Sequence, residues 1–94
     1  MSPLRLESRL TRDKKPLSTE LGNETVLMSI ESGRYYGLEG TAQRIWSLLT
    51  TPQSLSDLSI HLAKEYEVSP GQCAEDILPF IEEMISEGLL KVED

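Results

Sequence analysis

Between Glu24 and Leu49 the apolar period changes from two to about 3.6, and a chain that does this must build a small sheet first and helices afterwards. Val26, Met28 and Ile30 alternate with Thr25, Leu27, Ser29 and Glu31, the pattern of a strand. Ser32-Gly33 then reads as a two-residue hairpin turn, because glycine accepts the positive φ such turns need. Arg34 to Leu38 returns as a second strand. Ala42, Ile45, Trp46, Leu48 and Leu49 follow at helical spacing over about Thr41 to Leu49, and Thr50-Thr51-Pro52 ends that helix. An aromatic strand joined directly to an amphipathic helix, and lying at a sheet edge, is suited to docking another peptide.

Two more helices are expected downstream. Ser54 is placed to cap the second, with Asp57 in its first turn, and Leu55, Leu58, Leu62 and Tyr66 share one face. Ser69-Pro70-Gly71-Gln72 has the form of a capping box with proline at the first helical position. Cys73, Ile77, Phe80, Ile81 and Met84 recur at helical spacing after it, and Gly88 is a natural stop. Pro79 falls inside this third helix, where it removes a backbone donor, so a bend is expected there. Leu89-Leu90-Lys91-Val92 makes a short strand or packed tail. Upstream, residues 15–20 are ambiguous before the turn residues Leu21-Gly22-Asn23. Residues 1–13 have no clear period and read as a flexible arm or a weak strand; 1–14 are set apart as a basic arm, leaving 15–94 as the domain. The fold class that follows is α+β: a winged-helix-like domain with an N-terminal three-stranded antiparallel sheet and then three helices.

Charge narrows the function. The formal net charge is −7, yet residues 16–94 hold four basic side chains against fourteen acidic ones, a net of −10. Duplex binding draws its affinity from neutralising phosphates, so the body of this chain is poorly suited to nucleic acid. A winged-helix DNA-binding regulator is the competing function, but its third helix has no Lys or Arg between Ser69 and Leu90. Repulsion from Glu75, Asp76, Glu82, Glu83 and Glu87 counts against it. An accessory subunit that steadies an enzyme without touching its substrate is a third possibility. No apolar run approaches the roughly 20 residues of a membrane span, and no secretory signal follows the basic N-terminus. One cysteine excludes an internal disulfide, and the expected compartment is the cytoplasm.

Catalysis finds little support. Cys73, His61 and Asp57 are the residue types of a thiol-hydrolase triad, but Cys73 sits in an apolar helical stripe, the place of a small hydrophobe. The pairs Glu75-Asp76 and Glu82-Glu83 diverge on a helix and do not converge on a metal, and no phosphate loop is present. No cofactor is expected. The acidic stripe Asp76, Glu83 and Glu87 beside Phe80 is more suggestive. It is either a solvated face or the rim of a groove for a basic and apolar peptide.

The run Gly33-Arg34-Tyr35-Tyr36-Gly37-Leu38, followed by Ile45-Trp46-Ser47-Leu48-Leu49, resembles the signature of the pyrroloquinoline-quinone biosynthesis protein D family. Leu55-Ser56-Asp57-Leu58, Tyr66 and Glu87-Gly88-Leu89-Leu90 keep that order, so the resemblance spans about residues 16–92. It implies a non-catalytic recognition element that binds the leader of a ribosomally made precursor peptide as an added strand. Carried over, the receiving strand is Arg34, Tyr35, Tyr36, Gly37 and Leu38, and the facing helix presents Asp76, Ile77, Phe80 and Glu83. The chain is most similar to the freestanding members of lasso-peptide pathways. Their partners would be a cysteine-protease-like leader peptidase and an ATP-dependent cyclase. Glu39-Gly40 stands where the family commonly has asparagine after the leucine, and Pro79 is a second departure.

Overall fold

The computed structural model describes residues 4–93. Nine elements follow in the order β1 (Arg9–Arg12), β2 (Leu17–Leu21), β3 (Glu24–Met28), β4 (Tyr35–Leu38), α1 (Thr41–Leu48), β5 (Gln53–Ser54), α2 (Leu55–Tyr66), α3 (Pro70–Ser86) and β6 (Leu90–Val92). They form two three-stranded antiparallel sheets, β2-β3-β4 and β5-β1-β6, and the three helices. The expected α+β, winged-helix-like architecture with an antiparallel sheet ahead of the helices is what the chain adopts.

The N-terminal sheet is an antiparallel meander. Gly22, at φ +64, sits first in the two-residue turn between β2 and β3, the place where a positive φ matches the strand twist. The next connection is longer than Ser32-Gly33 alone suggests. Ser29 donates its N–H to the Arg34 carbonyl at 2.9 Å and Gly33 donates to the Ser29 carbonyl at 2.8 Å, so the loop takes in Ile30 and Glu31 as well. The Ser29 hydroxyl accepts the Ser32 N–H and helps hold that shape. Strand β3 therefore ends at Met28, and its core face is Thr25, Leu27 and Ser29. The Thr25 hydroxyl is buried without penalty because it accepts from Gln43 and donates to Glu20. On the outer face Leu17, Met28 and Tyr35 stand directly opposite one another across the three strands.

Of the two readings of residues 1–13, flexible arm or weak strand, residues 9–12 follow the second. Residues 9–12 are strand β1, held between β5 and β6, with Leu10 opposite both Gln53 and Val92. Leu10 is fully buried, and Leu55 and Ser56 donate backbone N–H groups to the Ser8 and Leu6 carbonyls. Residues 1–3 of the expected arm lie outside the described residues. Arg12 explains part of the ordering. Its Nε and Nη2 donate to the Trp46 carbonyl at 3.0 and 2.6 Å, and its guanidinium lies 4.4 Å from the centre of the Trp46 ring. This joins β1 to α1 through a charged hydrogen bond and a cation–π contact. The tail is a real strand too, since β6 pairs with β1.

The helices begin and end on local chemistry. Ser54 accepts the Asp57 N–H and Ser69 accepts the Gln72 N–H, as capping requires. The reciprocal half of the capping box is absent, because Gln72 reaches forward to Asp76 at 2.8 Å. Gly88, at φ +77, donates to the Ile85 carbonyl while Leu89 donates to that of Met84, the double bond pattern of a glycine-terminated helix. Pro79 lies exposed within α3, which runs as one helix to Ser86. At α1 the cap is Gly40, with φ 60 and ψ −132 and no side-chain bond, a backbone state open essentially to glycine. Tyr66 departs from expectation: it is exposed and does not share the buried face of Leu55, Leu58 and Leu62.

Candidate functional site

Strand β4 is an edge strand, paired among the described residues only with β3. The bond from Ser29 to Arg34 fixes which of its backbone groups are used. In an antiparallel ladder, hydrogen-bonded and non-bonded pairs alternate. With Ser29 and Arg34 a bonded pair in the register Leu27↔Tyr36 and Thr25↔Leu38, the backbone groups of Tyr36 and Leu38 turn toward β3. Those of Tyr35 and Gly37 turn to the free edge. Side chains alternate the other way, so Tyr36 and Leu38 face the helices while Tyr35 lies on the outer face and is 71% exposed.

Beside this edge runs a groove of about 410 Å³. One wall is Arg34, Tyr35, Tyr36, Gly37 and Leu38; the other is Phe80, Glu83, Met84 and Glu87, with Ala42 and Leu89 completing it. Phe80 and Tyr36 are half-buried and pack on the core, so each offers an apolar surface both inward and to the groove. Seven of the nine residues expected from sequence come together here. The two others do not line the groove. Ile77 is one position beyond the stripe and is buried in the core. Asp76 shares a helical stripe with Phe80, Glu83 and Glu87 but lies exposed beyond the groove wall, where its carboxylate accepts from Gln72.

Glu87 is not among the nine residues carried over, but the sequence places it in the acidic stripe beside Phe80, and it lies in the groove wall. Its Oε1 accepts a hydrogen bond from the Tyr36 hydroxyl and lies 3.4 Å from Arg34 Nη1. That bond, ahead of the smaller effect of lost solvent, holds the Tyr36 phenol above its ordinary value of 10.0. Ala42, Met84 and Leu89 carry no such signal, since only the packing of three separate elements brings them to one place. The charged lining is Arg34 against Glu83 and Glu87, so the groove is acidic overall.

No catalytic constellation forms from the expected residue types. Cys73 is buried, and burial, then the neighbouring Asp76, pushes its thiol up. His61 is exposed on α2, and no side-chain hydrogen bond among the described residues joins it to Cys73 or Asp57. No group of three or more His, Cys, Asp or Glu among the described residues could hold a metal ion. No helix of the described residues is long and apolar enough to cross a membrane.

The fold has counterparts in solved structures. TbiB1, in complex with the TbiA(beta) leader peptide, is 26% identical, with a TM-score of 0.78 over 86% of this chain and 94% of that one. A lasso peptide synthetase B1 complexed with the leader peptide is 24% identical, with a TM-score of 0.75 over 87% and 96%. The PqqD truncation of Methylobacterium extorquens PqqCD, a stand-alone recognition element for ribosomally synthesised and post-translationally modified peptides, is 19% identical, with a TM-score of 0.75 over 94% of each chain. At these last two identities the likeness is one of fold. No curated protein sequence matches the chain. The family model for coenzyme PQQ synthesis protein D matches residues 24–90, which include β3, β4 and all three helices, and the chain belongs to that family.

Proposed function

We propose that this chain is a non-catalytic binding module that captures the leader of a ribosomally made precursor peptide by strand addition at β4. The observation that carries it is the free backbone edge of Tyr35 and Gly37 beside an apolar, acid-rimmed groove. An edge of this kind supplies affinity through backbone bonds, and the groove supplies selectivity through alternate side chains. The 26% identical TbiB1, which carries a leader peptide in its own structure, supports the choice of ligand. Leader residues turned inward would meet Phe80 and Leu38, and a basic one would meet Glu83. The captured leader is then presented to separate enzymes in the cytoplasm, a cysteine-protease-like leader peptidase and an ATP-dependent cyclase. Duplex DNA is a poor ligand, since α3 offers phosphate only carboxylates.

The test is a titration of a fluorescein-labelled synthetic leader peptide from its own pathway, followed by anisotropy. Binding in the micromolar range or tighter is expected, with no turnover by the protein alone. Binding of the separated core peptide in place of the leader refutes the proposal.

A further inference from the structure

Strand addition by itself does not fix where a peptide stops. Backbone bonds repeat every two residues, so a bound strand that slides by about 7 Å regains the same bonds with the same face inward. The start of β4 and the end of α3 hold something that breaks this degeneracy. The Tyr36 hydroxyl donates across the groove to Glu87 Oε1, and Arg34 Nη1 lies 3.4 Å from the same oxygen. Glu87 is the C-cap of α3, and the Gly88 and Leu89 N–H groups lock the backbone that follows it. Its carboxylate is therefore attached to a fixed point. Among the described residues these are the side-chain hydrogen bonds that join β4 and its flank to the end of α3.

We propose that Arg34, Tyr36 and Glu87 form a register stop, an end wall that halts an added peptide strand at one position along β4. This rests on the strand-addition function proposed above. The three are positioning residues: a strand slipped by two residues keeps its backbone bonds, so the wall acts on register. What the wall changes is the number of positions the peptide occupies. Register matters to a presenting module, since each slip moves the downstream segment by about 7 Å relative to any enzyme waiting for it.

The experiment places a nitroxide on one end of the synthetic leader and records broadening of the protein's backbone amide signals by NMR. Wild type should show one broadening pattern centred on one end of β4. Glu87→Ala, which opens the wall, and Tyr36→Phe, which keeps the ring but removes the bond, should each spread the broadening over positions two residues apart. Amide spectra report directly whether each variant is folded, and Tyr36→Phe stands in if Glu87→Ala is not. A merely structural role would weaken binding and leave a single pattern. A single unshifted pattern in a folded, leader-bound variant overturns the register stop while leaving leader binding intact. Absence of any leader-induced shift at β4 in wild type overturns the strand-addition function, and the stop with it.

Discussion

Gly37→Pro is the sharpest single test of where the peptide binds. The Gly37 N–H points to the free edge, so the β3–β4 ladder does not use it. Its φ is not among the positive values of this chain, and proline at an edge position with its nitrogen outward is tolerated in sheets. The fold should therefore survive, with a melting temperature within a few degrees of wild type. Binding should not. Proline removes one of the two donors the edge offers and leaves the peptide carbonyl that would have met it unsatisfied, at about 1–3 kcal/mol in all. With 1.4 kcal/mol per decade, the leader should bind roughly 10- to 100-fold more weakly by anisotropy. Gly37→Ala is the control, because its Cβ would meet Glu24 Cδ at 3.7 Å, an ordinary contact on the outer face. Tyr36→Pro is the opposite control: it deletes a ladder donor and should unfold the sheet. If folded Gly37→Pro binds the leader as wild type does, strand addition at β4 is wrong.

Other expectations follow from single contacts. In the same titration, Phe80→Ala and Glu83→Lys should each weaken leader binding about tenfold, by emptying the groove and by reversing a rim charge of about 1 kcal/mol, whereas Asp76→Lys, off the groove wall, should change it less than twofold. Arg12→Met keeps an apolar stem but loses the bonds to the Trp46 carbonyl, and a urea titration should show a loss of about 2 kcal/mol. Glu67 closes α2 at φ 56, a left-handed state that costs a non-glycine residue about 1 kcal/mol, so Glu67→Gly should raise the melting temperature. The carboxyl of Glu65 is held below its ordinary 4.5 by hydrogen bonds from Arg44. A depressed carboxyl contributes its stability above the unfolded value and loses it as pH falls through the folded one, so Arg44→Gln should flatten the fall in stability below about pH 5.

What was legible in the sequence is what neighbouring residues decide among themselves. Ser54, Ser69 with Pro70, and Gly88 mark helix ends because cap and capped group lie within a few positions. Tyr36 and Leu38 were legible as a strand for the same reason. The second sheet was not. Leu10 is a lone leucine in a charged stretch, and its partner Val92 lies at the far end of the chain, so neither shows an alternation to read. The loop after β3 was misjudged because Ser29, three residues before the apparent turn, captures the Ser32 N–H and Arg34 carbonyl. The groove was half legible: a helical wheel puts Phe80, Glu83 and Glu87 on one stripe, but it cannot say where along that stripe β4 crosses. Asp76 belongs to the stripe and falls outside the crossing.

An edge strand kept open for a peptide is equally open to a second copy of itself, and the charge distribution bears on that hazard. β4 is only four residues long, which limits how many bonds a self-pairing could make. Its flanks carry Glu39 and Glu24, and the helix across the groove carries Glu83 and Glu87. Two copies meeting edge to edge would bring these carboxylates together, with Arg34 already engaged by Glu87. A peptide bearing basic residues meets the same groups as attraction. If the leader is basic and binds as proposed, the net of −10 over residues 16–94 separates the wanted strand from the unwanted one by sign, where backbone bonds alone treat them alike.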